Sequence, residues 1–363
     1  MRLRFSTGFQ FLSLWLITIV AIASCNTSPT INPEEAQAPA SSETESVSVT
    51  LFSWPGYGFW FIAQEKNLVP ELELDVSILE DPYESFSLMS SGQLDVTSST
   101  VEYGPIAAEN EIPVKLVAYT NASYGTDKII VGPDIASPED LRGQKIAVLE
   151  GGLSQIYVAI WLEENGLTID DVEFVNVIMD DAVSAMIAGD VAAGAFWEPF
   201  GSQVLDNLEG ARVVATSDED YWIKTALLGD GMYMSQQFLE ERPEAARLTM
   251  DAYFKAVDYW KNNPEESNQI IADALEFDLD SVELVIGADG TPKEDGLYVF
   301  GLEEAAQFMG VAEGSPPLEW QNGQITNHWK LTNEWWVKFG LNNEMVEPDA
   351  GISYEPIASL AGE

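Results

Sequence analysis

The 363-residue chain has one cysteine and one histidine. A lone cysteine, Cys25, leaves no disulfide framework and no thiolate metal cluster. A lone histidine, His328, removes histidine-based metal centres, and no nucleophile elbow, phosphate-binding loop or thiol triad is present. The pattern therefore calls for no metal and no cofactor, and it argues against an enzyme. Bases are scarce too: 16 Lys and Arg face 60 Asp and Glu, for a net charge of −44. Nucleic-acid binding needs clustered bases to neutralise phosphate, so it is excluded, and adsorption of the folded body to anionic lipid is disfavoured. Most of the acids read as a solvated surface suited to salt, so a single acid carries little information by itself.

Long apolar runs are also lacking. The stretch Phe9 to Ala23 follows Arg2 and Arg4 and is short for a bilayer span. With Ala23 and Ser24 before Cys25, "MRLRFSTGFQFLSLWLITIVAIASC" resembles a bacterial lipoprotein signal. The resemblance implies a signal peptide over residues 1–24, lipidation at Cys25 and residence on the periplasmic side of a membrane. Residues 25–46, rich in Pro, Ser, Thr and Glu, read as a flexible tether.

What is present from Val47 onward is an alternation of short β-rich runs and amphipathic helical runs, the pattern of an α/β fold with parallel sheets. In that pattern ligand loops belong at the C-terminal ends of the strands. Two stretches echo each other, "SFSLMSSGQLDVTSST" and "AVSAMIAGDVAAGAFW". Each reads as helix, glycine (Gly92, Gly189), turn, strand and loop, which fits two similar lobes. From Pro243 the chain reads as nearly all helical. Trp320, Trp329, Trp335 and Trp336 fall there and are expected to pack helices. In "SWPGYGFWFIAQEKNL" the aromatics divide: Phe59 and Phe61 sit at helical core spacing, Trp54 and Tyr57 belong to a loop mouth, and Trp60 fits either role.

Five pieces in order then resemble the periplasmic substrate-binding proteins of ABC importers, in the branch that handles nitrate, sulfonates, taurine and thiamine-precursor pyrimidines. They are "WPGYGFWFIAQEKNLV", "MSSGQLDV", "IPVKLVAYTNASYGTDKIIV", "IASPEDLRGQKIAV" and "AMIAGDVAAGAFWEPF". The resemblance implies the two-lobe type II fold with a hinge of two crossing strands and a helical C-terminal region. Lobe 1 would take residues 47–125 and return over 223–363 with the C-terminal helices, and lobe 2 would take 126–222. It also implies a non-enzymatic monomer that closes on a small ligand and presents it to permease and ATPase subunits.

The loops at the strand ends contain no Lys or Arg, but they hold acids beside aromatics. The candidate ligand residues are Trp54, Tyr57, Ser99, Glu102, Tyr103 and Asp127, with Glu150, Ser154, Asp180, Trp197, Glu198 and Asp230. Of the pair Asp180 and Asp181, one is expected to cap a helix. Carboxylates and ring faces suit a cation, so the charge inventory points to a small nitrogen-rich one such as guanidine or an amidine. The alternative, from the resemblance, is a sulfonate, taurine or nitrate, held by helix N-termini at "PGYGF" and "GGLSQ", or a thiamine-precursor pyrimidine.

Overall fold

Eleven strands and the helices around them build two sheets in the computed structural model, which describes residues 44–293 and 295–362. The signal, Cys25 and nearly all of the tether read from the sequence lie outside the described residues. Among the described residues no helix is long and apolar enough to cross a membrane.

The first sheet starts with three parallel strands, β1 (Glu45–Leu51), β2 (Leu72–Ile78) and β3 (Val96–Thr100). In β1 the residues Val47, Val49 and Leu51 are fully buried, and helix α1 (Phe59–Glu65) joins it to β2. Helix α2 (Pro82–Ser90) links β2 to β3, with Asp81 accepting the backbone N–H groups of Tyr83 and Glu84 at its start. Three further strands complete the sheet: β4 (Val114–Tyr124), reached through helix α3 (Tyr103–Glu109), then β10 (Gly229–Ser235) and β11 (Gly296–Val299). The order is β11-β4-β10-β3-β1-β2.

The second sheet holds β5 (Asp127–Val131), β6 (Lys145–Val148), β7 (Glu173–Asn176), β8 (Ala193–Trp197) and β9 (Arg212–Thr216), in the order β7-β6-β8-β5-β9. Its helices are α4 (Leu153–Glu164), α5 (Met179–Ala188), α6 (Phe200–Asn207) and α7 (Asp220–Thr225). Both sheets are mixed, which corrects the expectation of parallel sheets: β10 runs antiparallel to β3 and β4, and β5 runs antiparallel to β8 and β9. These are the strands on which the chain crosses between sheets, and a crossing strand enters from the opposite end.

The first crossing is short, Gly125 and Thr126 between β4 and β5. Gly125 holds φ +120, and a Cβ there would come within 2.6 Å of the Asp295 Cα. The Ser217 hydroxyl gathers this crossing: it accepts from the N–H groups of Gly125 (2.9 Å) and Asp127 (3.1 Å) and lies 2.6 Å from the Ser123 hydroxyl. The return crossing is braced from the side by the helix Gln324–Phe339. Trp320 just before that helix, Gln324 and His328, spaced one turn apart, bond the carbonyls of Ile223, Thr225 and Leu227 in turn. His328 is wholly buried, and its second ring nitrogen lies 3.3 Å from the Thr332 hydroxyl.

The late tryptophans pack as expected, but on both lobes. Trp329 belongs to the core under the first sheet, and Trp336 is buried with Ile156 and Ile160 of α4 in a core of the second. Trp60, which the sequence left open, goes inward: it is fully buried, tilts against Tyr253 and donates to Ser98 at 2.8 Å.

Candidate functional site

A cavity of about 30 Å³ lies where the C-terminal ends of both sheets meet. It is narrow and lined from both lobes, so a compact occupant fits best. The first sheet and its connections supply Phe52, Trp54 and Tyr57 from the turn after β1, Thr100 from the end of β3, Tyr103 from the start of α3, and Asp230 from β10. The second supplies Leu149, Leu153 and Ser154 from the turn after β6, Asp127 from β5 and Trp197 from β8.

The strand register places the two acids. Asp230 is the cross-strand partner of Thr100, and Asp127 is the partner of Trp197, so each acid stands beside another wall residue. Asp230 accepts the Tyr57 hydroxyl at 2.6 Å and pairs across the strand with Asn121 on its other side. Burial pushes the Asp230 carboxyl well above the usual range. The Tyr57 hydrogen bond opposes that shift, while the nearby charges of Asp127 and Glu102 add to it. The Asp127 carboxyl is pushed up to about 6, again by burial first, against the hydroxyls of Ser123 and Thr126 and the Lys128 charge. Burial likewise raises the phenols of Tyr57 and Tyr103 well above their ordinary value, so both remain O–H donors.

The walls also present donors. Trp54 Nε1, Thr100 Oγ1, Tyr103 Oη and Trp197 Nε1 are buried without a hydrogen-bond partner among the described residues. An indole N–H can only donate, and leaving such a group unmet costs about 1–3 kcal/mol. The start of α4 adds the unpaired N–H groups of a first helical turn, with Leu153 and Ser154 in the cavity wall and Gly152 as N-cap. Glycine is required there because a Cβ on Gly152 would collide with the Tyr103 hydroxyl, and one on Gly151 with that of Tyr83. Tyr83 also donates to the Glu150 carbonyl at 3.3 Å, tying α2 of one lobe to the mouth of the other.

Of the residues expected at the site from sequence, Trp54, Tyr57, Tyr103, Asp127, Ser154, Trp197 and Asp230 stand together in this wall. The Ser154 hydroxyl serves the loop, accepting the Leu149 N–H at 2.7 Å. Five others stand elsewhere. Ser99 is buried, but side chains alternate along a strand, so with Thr100 in the wall Ser99 points to the other face. Glu102 lies behind the cavity, its carboxylate 3.6 Å from His328 Nε2 and its carbonyl accepting from Trp336 at 2.7 Å. Glu198 is paired with Lys128 at 2.7 Å and accepts the Ser202 N–H in the first turn of α6, so its charge is already used. Glu150 and Asp180 have exposed side chains. Asp180 and Asp181 both lie inside the first turn of α5, where Ile178 is the N-cap, so neither caps the helix. The loop placement from sequence already took in Thr100 and Leu153, but it did not reach Phe52 or Leu149, which lie just outside the loops marked at the strand ends. Among the described residues no group of three or more His, Cys, Asp or Glu could hold a metal ion.

Comparison with known proteins gives the same architecture. A Brucella abortus (strain 2308) protein provisionally named a binding protein is 25% identical over 224 residues, 61% of this chain and 69% of its own. The taurine-binding periplasmic protein of Escherichia coli (strain K12) is 24% identical over 189 residues, 50% of this chain and 58% of its own. The alkanesulfonate-binding protein SsuA from Xanthomonas axonopodis pv. citri, solved bound to MOPS, superposes with a TM-score of 0.67 at 16% identity, covering 86% of this chain and 99% of that one. The family model described as NMT1/THI5 like matches residues 54–267, more than half of the sequence, and the chain belongs to that family of binding proteins.

Proposed function

We propose that this chain is the solute-binding component of an ABC importer, and that its solute is a compact molecule with an ammonium at one end and an oxyanion at the other. Taurine is the plainest example. The observation that carries the reading is the mixed inventory of one cavity: two buried aspartates beside four buried donors without partners among the described residues. The ammonium would rest between Asp127 and Asp230. The oxyanion would take the indole N–H groups of Trp54 and Trp197, the Tyr103 hydroxyl and the start of α4. The nearest base, Lys128, is committed to Glu198, so the oxyanion is met by neutral donors. The names of the taurine- and alkanesulfonate-binding relatives support the same class. In this reading the chain is tethered through Cys25 on the periplasmic side, and the closed form, with Tyr83 and Tyr103 seated on the Gly151–Gly152 turn, engages the permease.

A bare guanidine-type cation is the second reading. The small cavity and the absence of Lys and Arg from its wall favour it, but it offers no acceptor to the four donors. Thermal shift and calorimetry with taurine, ethanesulfonate, guanidinium and nitrate separate the two. Taurine at a hundredfold excess over its Kd should stabilise the protein by about 2.7 kcal/mol. Ethanesulfonate, which lacks the ammonium, and guanidinium, which lacks the oxyanion, should bind far more weakly. A clear response to guanidinium with none to taurine overturns the first reading in favour of the second.

A further inference from the structure

The grip on Asp230 says more about the ligand's nitrogen end than the presence of the acid does. Tyr57 is 1% exposed, and its ring is fixed edge-on to Phe52 (5.9 Å, 83°) and Trp54 (5.2 Å, 75°). Its backbone is held in the single 3-10 turn Pro55–Tyr57. It sits on Oδ1 of Asp230 at 2.6 Å. Asp127 is encumbered in the same way, with the Thr126 hydroxyl donating to its Oδ2 at 3.2 Å. Each acid therefore already has one oxygen engaged by a hydroxyl, which leaves that oxygen a single acceptor site, and the Ser123 hydroxyl adds to the load on Asp127.

A guanidinium pairs best with a carboxylate through two parallel N–H groups, one to each oxygen. A primary ammonium has three diverging N–H groups and pairs well with single oxygens from separate carboxylates. We propose that Tyr57 sets the selectivity of the site, favouring a primary ammonium over a guanidinium by holding one oxygen of Asp230. The proposal rests on the ammonium-and-oxyanion reading of the ligand given above.

The test uses two ligands with the same sulfonate end, taurine and 2-guanidinoethanesulfonate, titrated calorimetrically into the wild-type chain and the Tyr57→Phe variant. One two-point contact traded for a one-point contact is worth about one charged hydrogen bond, so the wild type should prefer taurine by roughly tenfold or more. Tyr57→Phe keeps the ring packing and frees Oδ1, so the preference should shrink to about threefold or less, mainly by tightening the guanidino ligand. Taurine binding with a ratio unchanged by the substitution overturns the role of Tyr57 and leaves the ligand reading standing. Tighter wild-type binding of the guanidino ligand overturns it without any variant. No wild-type binding of taurine removes the ligand reading and this proposal together.

Discussion

The two lobes repeat one plan and fill it with different chemistry. Reading inward from its all-parallel edge, the first sheet runs β2-β1-β3 and then the antiparallel β10; the second runs β7-β6-β8 and then the antiparallel β5. The acids occupy matching stations, Asp230 opposite the end of β3 and Asp127 opposite the end of β8. The two stretches that echo each other around Gly92 and Gly189 both form the helix and strand that lead to these stations. The turns after the first strand have diverged. After β1 it carries Phe52, Trp54 and Tyr57; after β6 it carries Leu149, two glycines and the start of α4. The shared plan thus gives the cleft paired acids, and the different turns give it an aromatic wall facing a helix N-terminus.

The sharpest asymmetry is Lys128, a base beside the acid of lobe 2 with no counterpart in the cavity wall of lobe 1. Lys128→Met leaves Glu198, whose side chain is 4% exposed, as an uncompensated buried charge. Breaking such a pair costs about 3 kcal/mol, so the urea midpoint should fall clearly while taurine is still bound. A large loss of affinity with unchanged stability would put Glu198 back in the site. The second comparison exchanges the acids. Asp230→Asn should weaken taurine binding by at least about 30-fold, from a loss of about 2 kcal/mol or more. Asp127→Asn should weaken it less, because Lys128 already offsets part of that charge; calorimetry on both variants reads the order directly. The third is pH. Asp127 is raised in the folded state to about 6 from its ordinary value of 3.8. The empty protein binds more protons folded than unfolded between those values, and its stability falls as pH rises from about 4 to 6. An ammonium needs the ionised acid, so taurine affinity moves the other way, weakening by up to tenfold per unit below about 6. Asp127→Asn should remove its share of both trends and leave that of Asp230, whose carboxyl burial also raises.

Much of this was legible in the sequence. Strand and helix periods differ, so the alternation shows from Val47, and strand ends mark loops, which is how Trp54, Tyr57, Asp127, Trp197 and Asp230 could be singled out. Strand direction was not legible, since an apolar run such as "KIIV" reads the same both ways. Glu198 was misplaced for that reason: antiparallel pairing of Lys128 with Phe196 brings residues 70 apart in sequence into an ion pair. The ligand's charge was read from acids and bases alone, whereas the unpartnered donors of Trp54, Thr100, Tyr103 and Trp197 emerge only from three-dimensional neighbours.

The ladder from Trp320, Gln324 and His328 to the carbonyls of Ile223, Thr225 and Leu227 has a mechanical consequence. One crossing is pinned along its length to a helix rooted in the cores of both lobes, while the other turns at Gly125. Lobes joined in this way would swing about a stiff segment on one side, the end of α7 and the residues up to Leu227, rather than about a free hinge.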